Sequence, residues 1–218
     1  MKKDKKQYDK TLYQKLNIFA DWVIRLVVIN ILIIVTSLPI ITLYPALLAG
    51  YKMFHKFLNK EEVPIFKSYF KFFTENIAQK LKIGLILAAA IFVGVINITI
   101  YNDFLEANPS PFNLVGQYVM VVMVLSVIFV TMYTFPLMIT YPNTNVWLMI
   151  KFSFFLSGKF IVRTGLAIIT LFIPIVLLLH PLLTLILVFV GMSTMVLLYA
   201  LIFSKVVTYV EGLDGENV

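Results

Sequence analysis

The 218-residue chain is strongly apolar: 61% of its residues are hydrophobic and only 13% are charged. Together with a mean hydropathy of +0.94, this composition excludes an ordinary soluble domain. The formal net charge of +7 could indicate a nucleic-acid partner. However, the Lys and Arg residues cluster beside apolar segments, as on the cytoplasmic side of membrane proteins, so we predict no nucleic-acid binding. Cysteine is absent, which excludes disulfides and thiolate chemistry.

Four long windows of the chain contain no Asp, Glu, Lys or Arg. They cover residues 26–51, 83–102, 107–150 and 164–204 and are 26, 20, 44 and 41 residues long. About 20 apolar residues are enough to cross a bilayer as a helix. Backbone amides inside hydrocarbon must be hydrogen-bonded within their own segment, so each window predicts helix. We therefore predict an all-α, polytopic transmembrane helical bundle that forms one domain over residues 16–210.

The N-terminal part of the chain predicts a basic arm followed by a helical hairpin. Residues 1–15 are rich in Lys, and a first span follows over residues 16–39. Pro39 and Pro45 interrupt the helix, because proline lacks an amide donor and clashes with the preceding turn. Residues 46–58 then resume an apolar helix. This region is short for two spans, since each needs about 17–25 residues.

Residues 64–82 are aromatic on one helical face and basic or polar on the other. This pattern predicts a single amphipathic helix that lies flat in the cytoplasmic interface. Residues 146–160 are also aromatic with a few Lys residues, and predict a second interfacial helix. These two helices either anchor the protein or dock a partner. Docking would involve Lys67, Tyr69, Phe70, Lys71 and Phe73.

The remaining spans are predicted over residues 83–101, 114–139, 161–179 and 182–204. The first of them contains two pairs of small residues spaced four apart. Such pairs allow the backbone of a neighbouring helix to approach closely, so we expect these positions to pack against another helix. They are Gly84 with Ala88 and Ala90 with Gly94.

The distribution of Lys and Arg favours six spans with both termini in the cytoplasm. The loop 102–113 has two acidic residues and no basic one, which predicts an outer location. Both interfacial helices then lie on the cytoplasmic side, and a short acidic tail, 211–218, follows the bundle. Five spans result if residues 39–58 form a re-entrant or interfacial segment instead.

The sequence contains no catalytic or metal-binding constellation. Its two histidines, His55 and His180, lie in different segments, and no metalloprotease, nucleophile-elbow or phosphate-loop motif is present. Asp21 and Arg25 are spaced to pair on one helical face near the membrane edge, where an ion pair that fixes helix depth is the simplest role. We therefore predict a protein that is not an enzyme and needs no cofactor or metal.

Residues 37–84 resemble the signature stretch of the YesL family, small integral membrane proteins of Gram-positive bacteria. The resemblance begins with a Leu-Pro-x-x-Thr element and a small-residue helix containing a Tyr. A basic-acidic turn follows, and then a Phe-rich amphipathic helix. The matching residues are Leu38, Pro39 and Thr42; Pro45, Ala46, Ala49 and Tyr51; Lys60, Glu61 and Glu62; and Phe66, Tyr69, Phe70, Phe73, Asn76 and Gln79.

This resemblance implies a bacterial cell-membrane protein of undefined biochemistry with an accessory role in carbohydrate uptake. Members of the family are often encoded beside sugar importers and polysaccharide-degrading enzymes, so the implied protein partners are subunits of a sugar ABC importer. The lipid bilayer is the other expected partner, and a homo-oligomer is compatible with the sequence. The alternative function is a self-sufficient small-solute carrier that uses the interior of the bundle.

Overall fold

The computed structural model describes the backbone of residues 2–215 and the side chains of residues 13–213. The basic arm and the acidic tail therefore lie largely outside the described side chains. Within the described backbone the chain is all-α, as the sequence predicted. Its helices are α1 (Lys2–Ser37), α2 (Leu43–Leu58), α3 (Ile65–Thr74), α4 (Ile77–Ala107), α5 (Pro111–Thr140), α6 (Val146–Lys159), α7 (Ile161–Leu178), α8 (Pro181–Ile186) and α9 (Met192–Gly215), with a 3₁₀ turn at Ile40–Thr42 and a π segment at Leu187–Gly191.

Five helical segments of the described chain are long and apolar enough to cross a membrane. Each has a mean hydropathy of at least 2.3 over its most apolar window, and most of its surface within the single chain is not buried. Apolar side chains that remain exposed on such helices are suited to contact with lipid tails. The candidate spans are Tyr13–Ser37, Ile77–Ala107, Pro111–Thr140, Ile161–Leu178 and Pro181–Leu213.

The prediction of six spans is wrong for the region that follows α1. Helix α2 has 16 residues, so it is about 24 Å long and falls short of the roughly 30 Å hydrocarbon core. Ten of those 16 residues are buried, so the helix is not interfacial either. It lies among α1, α4, α5 and α9 and forms the centre of the fold.

Small residues allow α2 to occupy this central position. A Cβ atom added at Gly50 would lie 2.7 Å from Cδ1 of Ile33 in α1, and one added at Gly84 of α4 would lie 2.8 Å from Cβ of Tyr44 in α2. The hydroxyl of Tyr44 also donates a hydrogen bond to Oγ1 of Thr134 in α5, at 2.8 Å. Helix α2 is therefore held by close backbone approach on two sides and by a buried hydrogen bond on a third.

Side-chain hydrogen bonds show which helix ends lie together in the bundle. Gln79 Nε2 donates to the carbonyl of Thr144 at 2.7 Å, which joins the start of α4 to the end of α5. Tyr141 Oη donates to the carbonyl of Val210 at 3.1 Å, which brings the end of α9 to the same place. The α4–α5 turn at residues 108–110 lies at the other end of that hairpin. The start of α4 and the ends of α5 and α9 therefore lie at one end of the bundle, and the α4–α5 turn lies at the other.

A buried asparagine connects the first span to the last. The Asn30 side chain is fully buried, and its Nδ2 donates to the carbonyls of Leu187 and Val188 at 3.1 and 2.6 Å. Its Oδ1 accepts from the backbone amide of Ser193 at 2.8 Å. Leu187 and Val188 lie in the π segment Leu187–Gly191 and Ser193 lies just after it. In such a segment the register of backbone hydrogen bonds shifts and leaves groups without their usual partners. Asn30 supplies the missing partners from a different helix.

We expect the substitution Asn30→Leu to destabilise the protein by roughly 1–3 kcal/mol, because it leaves buried backbone groups unsatisfied. The control is Asn97→Leu, since the Asn97 amide bonds only to the Val93 carbonyl of its own helix, at 2.8 Å. The measurement is the thermal midpoint of the purified protein in detergent. Equal midpoints for the two variants would mean that the contact with the π segment contributes no stability.

Candidate functional site

Helix α3 is attached to the bundle by one face and leaves the other face open. Tyr69 and Phe72 are buried against α1 and α2, with 0% and 6% of their surface exposed. On the opposite side Phe66 and Phe70 are exposed, as are Lys67 and Lys71. Two aromatic residues four apart and two lysines four apart therefore form one continuous surface. We call these four residues the α3 outer face.

The predicted docking residues divide between the two faces of α3. Lys67, Phe70 and Lys71 lie on the outer face, and Phe73 is half-buried. Tyr69 lies on the inner face, where its hydroxyl is 2.8 Å from Oγ1 of Thr36 and donates to the carbonyl of Ala46 at 3.2 Å. Burial raises the pKa of the Tyr69 phenol above its ordinary value. Tyr69 is therefore a structural anchor and is not available to a partner.

The single interfacial helix predicted over residues 64–82 is wrong in its second half. Helix α3 ends at Thr74, and α4 begins at Ile77 as one of the candidate spans. Between them Asn76 adopts a left-handed conformation with φ of 50°, a conformation that asparagine tolerates better than most residues. The chain therefore turns sharply here, and Lys80 and Lys82 belong to the first turns of a spanning helix.

Charged side chains stabilise this turn, and we call them the α3–α4 joint: Lys52, Glu75 and Lys80. Lys52 Nζ lies 2.9 Å from Oε2 of Glu75 and 4.7 Å from the ring centre of Phe72. The hydrogen bond from Lys52 holds the pKa of the Glu75 carboxyl below its usual value, against the opposing effect of desolvation. Lys80 is 5% exposed and donates to the backbone carbonyl of Phe72, near the C-terminal end of α3, where a cation is favourable.

The joint was not predicted from the sequence, although its residues were visible there. In the sequence, Lys52 and Lys80 look like ordinary topology determinants, because lysines beside apolar segments usually mark the cytoplasmic side. The available signal was the Glu75-Asn76 pair inside an aromatic run, which interrupts the amphipathic pattern. Only the folded arrangement brings Lys52, which is 23 residues distant, to Glu75.

The four small residues of α4 lie in different surroundings. Gly84 abuts Tyr44 of α2, and a Cβ atom added at Gly94 would overlap the Val124 side chain of α5. Ala88 and Ala90 are exposed on the surface of the chain. The two glycines therefore stand at helix–helix contacts, whereas the two alanines do not fill such contacts within this chain.

Helix α6 corresponds to the second predicted interfacial segment. It begins at Val146, where the Oδ1 of Asn145 accepts from the backbone amide of Trp147 at 2.9 Å and caps the helix. Met149 and Leu156 are among the residues that bury one face against the bundle, whereas Trp147 is 66% exposed. Like α3, this helix packs one face against the bundle and leaves the other face exposed.

The described residues offer little for acid–base or metal chemistry. No group of three His, Cys, Asp or Glu side chains among them could hold a metal ion. His55 lies in α2, and burial lowers the pKa of its imidazole. His180 accepts the Leu182 amide at the start of α8, so the two imidazoles belong to separate elements. Asp21 and Arg25 form the predicted pair, at 2.6 Å, and the Arg25 guanidinium stacks 4.4 Å from the ring centre of Phe57.

Comparisons with known proteins identify one family. The model described as "Protein of unknown function, DUF624" matches residues 26–98, roughly a third of the chain. This range contains all of α2 and α3, the α3–α4 joint, the last third of α1 and most of α4. YesL-family proteins carry this domain, so the resemblance seen in the sequence is confirmed. No curated protein and no solved structure matches the chain.

We expect Gly94→Leu to lower the yield of folded protein, because the added side chain would overlap Val124 and overpacking costs about 1–3 kcal/mol. The matched control is Ala90→Leu on the same helix, where the site is exposed. The measurement is the monodisperse fraction after solubilisation and size-exclusion chromatography. A Gly94→Leu variant as abundant as the Ala90→Leu control would remove the packing argument.

Proposed function

For this chain, which carries the DUF624 domain of the YesL family, we propose an accessory role in oligosaccharide uptake at the bacterial cell membrane. The protein performs no catalysis itself and needs no cofactor. It acts by binding another membrane component, and the implied partner is a subunit of a sugar ABC importer. The observation that carries the proposal is the α3 outer face.

The way in which α3 packs on the bundle distinguishes it from a simple lipid anchor. An interfacial anchor buries its apolar face in the membrane and leaves its charged face in water. Helix α3 instead buries Tyr69 and Phe72 in protein, through hydrogen bonds and ring contacts that fix its orientation. Its exposed aromatic residues are therefore additional to those that attach it. Aromatic anchors beside charged rim residues are typical of protein interfaces.

The charges of the α3 outer face suggest the character of the partner. Lys67 and Lys71 are exposed, whereas the neighbouring Lys80 is buried and donates to the Phe72 carbonyl. A partner surface with an apolar groove and an acidic rim would complement this face. Exposed charges at such a rim steer association more than they add affinity. The sign of the charge on the partner surface therefore contributes to selection, as its shape does.

The alternative, a self-sufficient small-solute carrier, would use polar groups in the bundle interior as a pathway. Polar side chains in the interior donate hydrogen bonds to backbone carbonyls of the protein itself. They are those of Asn30, Thr134, Thr164 and Ser193. This arrangement supports a structural role for these groups. Uptake by proteoliposomes that contain only this chain would favour the carrier, and a homo-oligomer without other subunits would agree with it.

We expect the double substitution Lys67→Glu and Lys71→Glu to abolish co-purification of a sugar-importer subunit from gently solubilised native membranes. The matched control is Lys151→Glu with Lys205→Glu, which changes the net charge equally at exposed sites on α6 and α9. Both variants should give the same folded yield as the unmodified protein. Retention of the partner by all three proteins would contradict docking through α3, and the absence of an importer subunit from the unmodified protein would contradict the proposed function.

We also propose that the lysine-rich end of the bundle and both termini are cytoplasmic. Helix α2 runs back along α1, since Gly50 meets Ile33 and Phe57 meets Arg25. The α1–α2 hairpin thus returns the chain to the side on which α1 begins, although α2 is shorter than a full span. The α3–α4 joint and the end of α9 lie at the lysine-rich end. At the opposite end, Asp103 and Glu106 lie in the last turns of α4, where the sequence predicted an outer loop. No basic residue lies near them in the chain, as the positive-inside rule requires of an outer end.

Reporter fusions test this orientation. A fluorescent-protein fusion at residue 1 or residue 218 should fluoresce, and an alkaline phosphatase fusion at either position should be inactive. A phosphatase inserted after Asn108, in the α4–α5 turn, should be active and provides the control. Phosphatase activity at either terminus would contradict the arrangement in which α2 returns the chain.

A further inference from the structure

A cavity of about 280 Å³ lies between the central helix α2 and the four helices α4, α5, α7 and α9. It is separate from the α3 outer face and from the α3–α4 joint, neither of which contributes to its lining. Cavities of this size are uncommon in protein interiors, which are close-packed with few voids larger than a water molecule. Its lining includes Leu43, Tyr44, Ala88, Ile91, Ile128 and Thr131.

The chemistry of the wall excludes a charged or sugar-like ligand. No Asp, Glu, Lys, Arg or His lines the cavity. The Tyr44 hydroxyl donates to Thr134 at 2.8 Å, and the Thr131 hydroxyl donates to the Val127 carbonyl of its own helix at 2.8 Å. A sugar would need several free hydrogen-bonding groups to replace its hydration. Two further lining residues, Tyr51 and Tyr199, have hydroxyls without a hydrogen-bond partner among the described residues, but both hydroxyls are buried and two are too few to replace the hydration of a sugar. The rest of the wall is almost entirely apolar.

The cavity opens toward lipid. Ala88 and Leu43 are exposed at the surface of the chain, so they mark the place where the cavity meets its surroundings. The same stretch of α4 exposes Leu85 and Phe92, and α4 is one of the candidate spans. A mouth at this position faces hydrocarbon, and the small side chain of Ala88 keeps it open.

We propose that this cavity binds the hydrocarbon chain of a membrane lipid. An apolar cavity of about 150 Å³ is large enough to bind benzene, so 280 Å³ accommodates a segment of an alkyl chain. Filling the void gives the lining side chains contact partners that they otherwise lack. Lipid tails surround the mouth at high concentration, so a bound chain needs no route through water. The inference does not depend on the proposed role in uptake.

Photo-crosslinking tests the site directly. The purified chain is reconstituted with a phospholipid that has a diazirine in the middle of one acyl chain, and labelled residues are mapped by mass spectrometry. We expect labels on cavity-lining residues such as Ile91 and Ile128. Ala88→Phe should reduce this labelling several-fold by filling the mouth. The matched control Ala90→Phe, exposed on the same helix but outside the lining, should leave the labelling unchanged.

A second variant keeps the test decisive if Ala88→Phe does not fold. Ile128→Phe fills the cavity from α5 and should also reduce the labelling. Labels confined to outward-facing residues such as Phe92, with none on lining residues, would overturn the proposal. So would cavity labelling that is equal in the unmodified protein and in each folded cavity variant. Labelling that falls in a cavity variant and persists in Ala90→Phe supports it.

Discussion

The side chain of Asn30 holds the first span to the last. In hydrocarbon, a backbone group that loses its partner has no water to replace it, so any irregularity in a spanning helix must be compensated by protein. The π segment at residues 187–191 is such an irregularity, and Asn30 supplies two donors and one acceptor to the backbone around it. The path of α8 and α9 across the bundle therefore depends on one amide in α1.

The same constraint explains the contacts made by α3. The carbonyl of Phe72, near the end of α3, accepts from Lys80, and the carbonyl of Ala46 in α2 accepts from Tyr69. In each case a long polar side chain donates a hydrogen bond to a backbone carbonyl of a neighbouring helix. These bonds fix the orientation of α3 on the bundle. This suits the docking role proposed for it, because a preorganised surface loses less entropy when it binds.

The central position of α2 has a consequence for ligand binding. A short helix enclosed by longer ones cannot fill the whole length of the space between them. Close approach at Gly50 and Gly84 brings α2 against α1 and α4, and the unfilled space remains as the apolar cavity next to Tyr44. The shape of the cavity thus follows from the length of α2 and from the glycines that fix its position.

The sequence by itself determined the class of the protein and most of its helices. Inside lipid a long charge-free window can only be a helix, so the bundle and the separate helix α6 were predictable. The loop predicted at residues 102–113 is only a turn at residues 108–110, because α4 continues to Ala107 and α5 begins at Pro111. The Phe-rich pattern likewise identified α3, because aromatic periodicity depends only on local spacing. Tertiary structure decided the role of each aromatic residue, burying Tyr69 and exposing Phe66. It also decided that residues 43–58 form a buried core helix, because an apolar segment has the same composition whether lipid or protein surrounds it, and only the neighbouring helices determine which of the two it contacts.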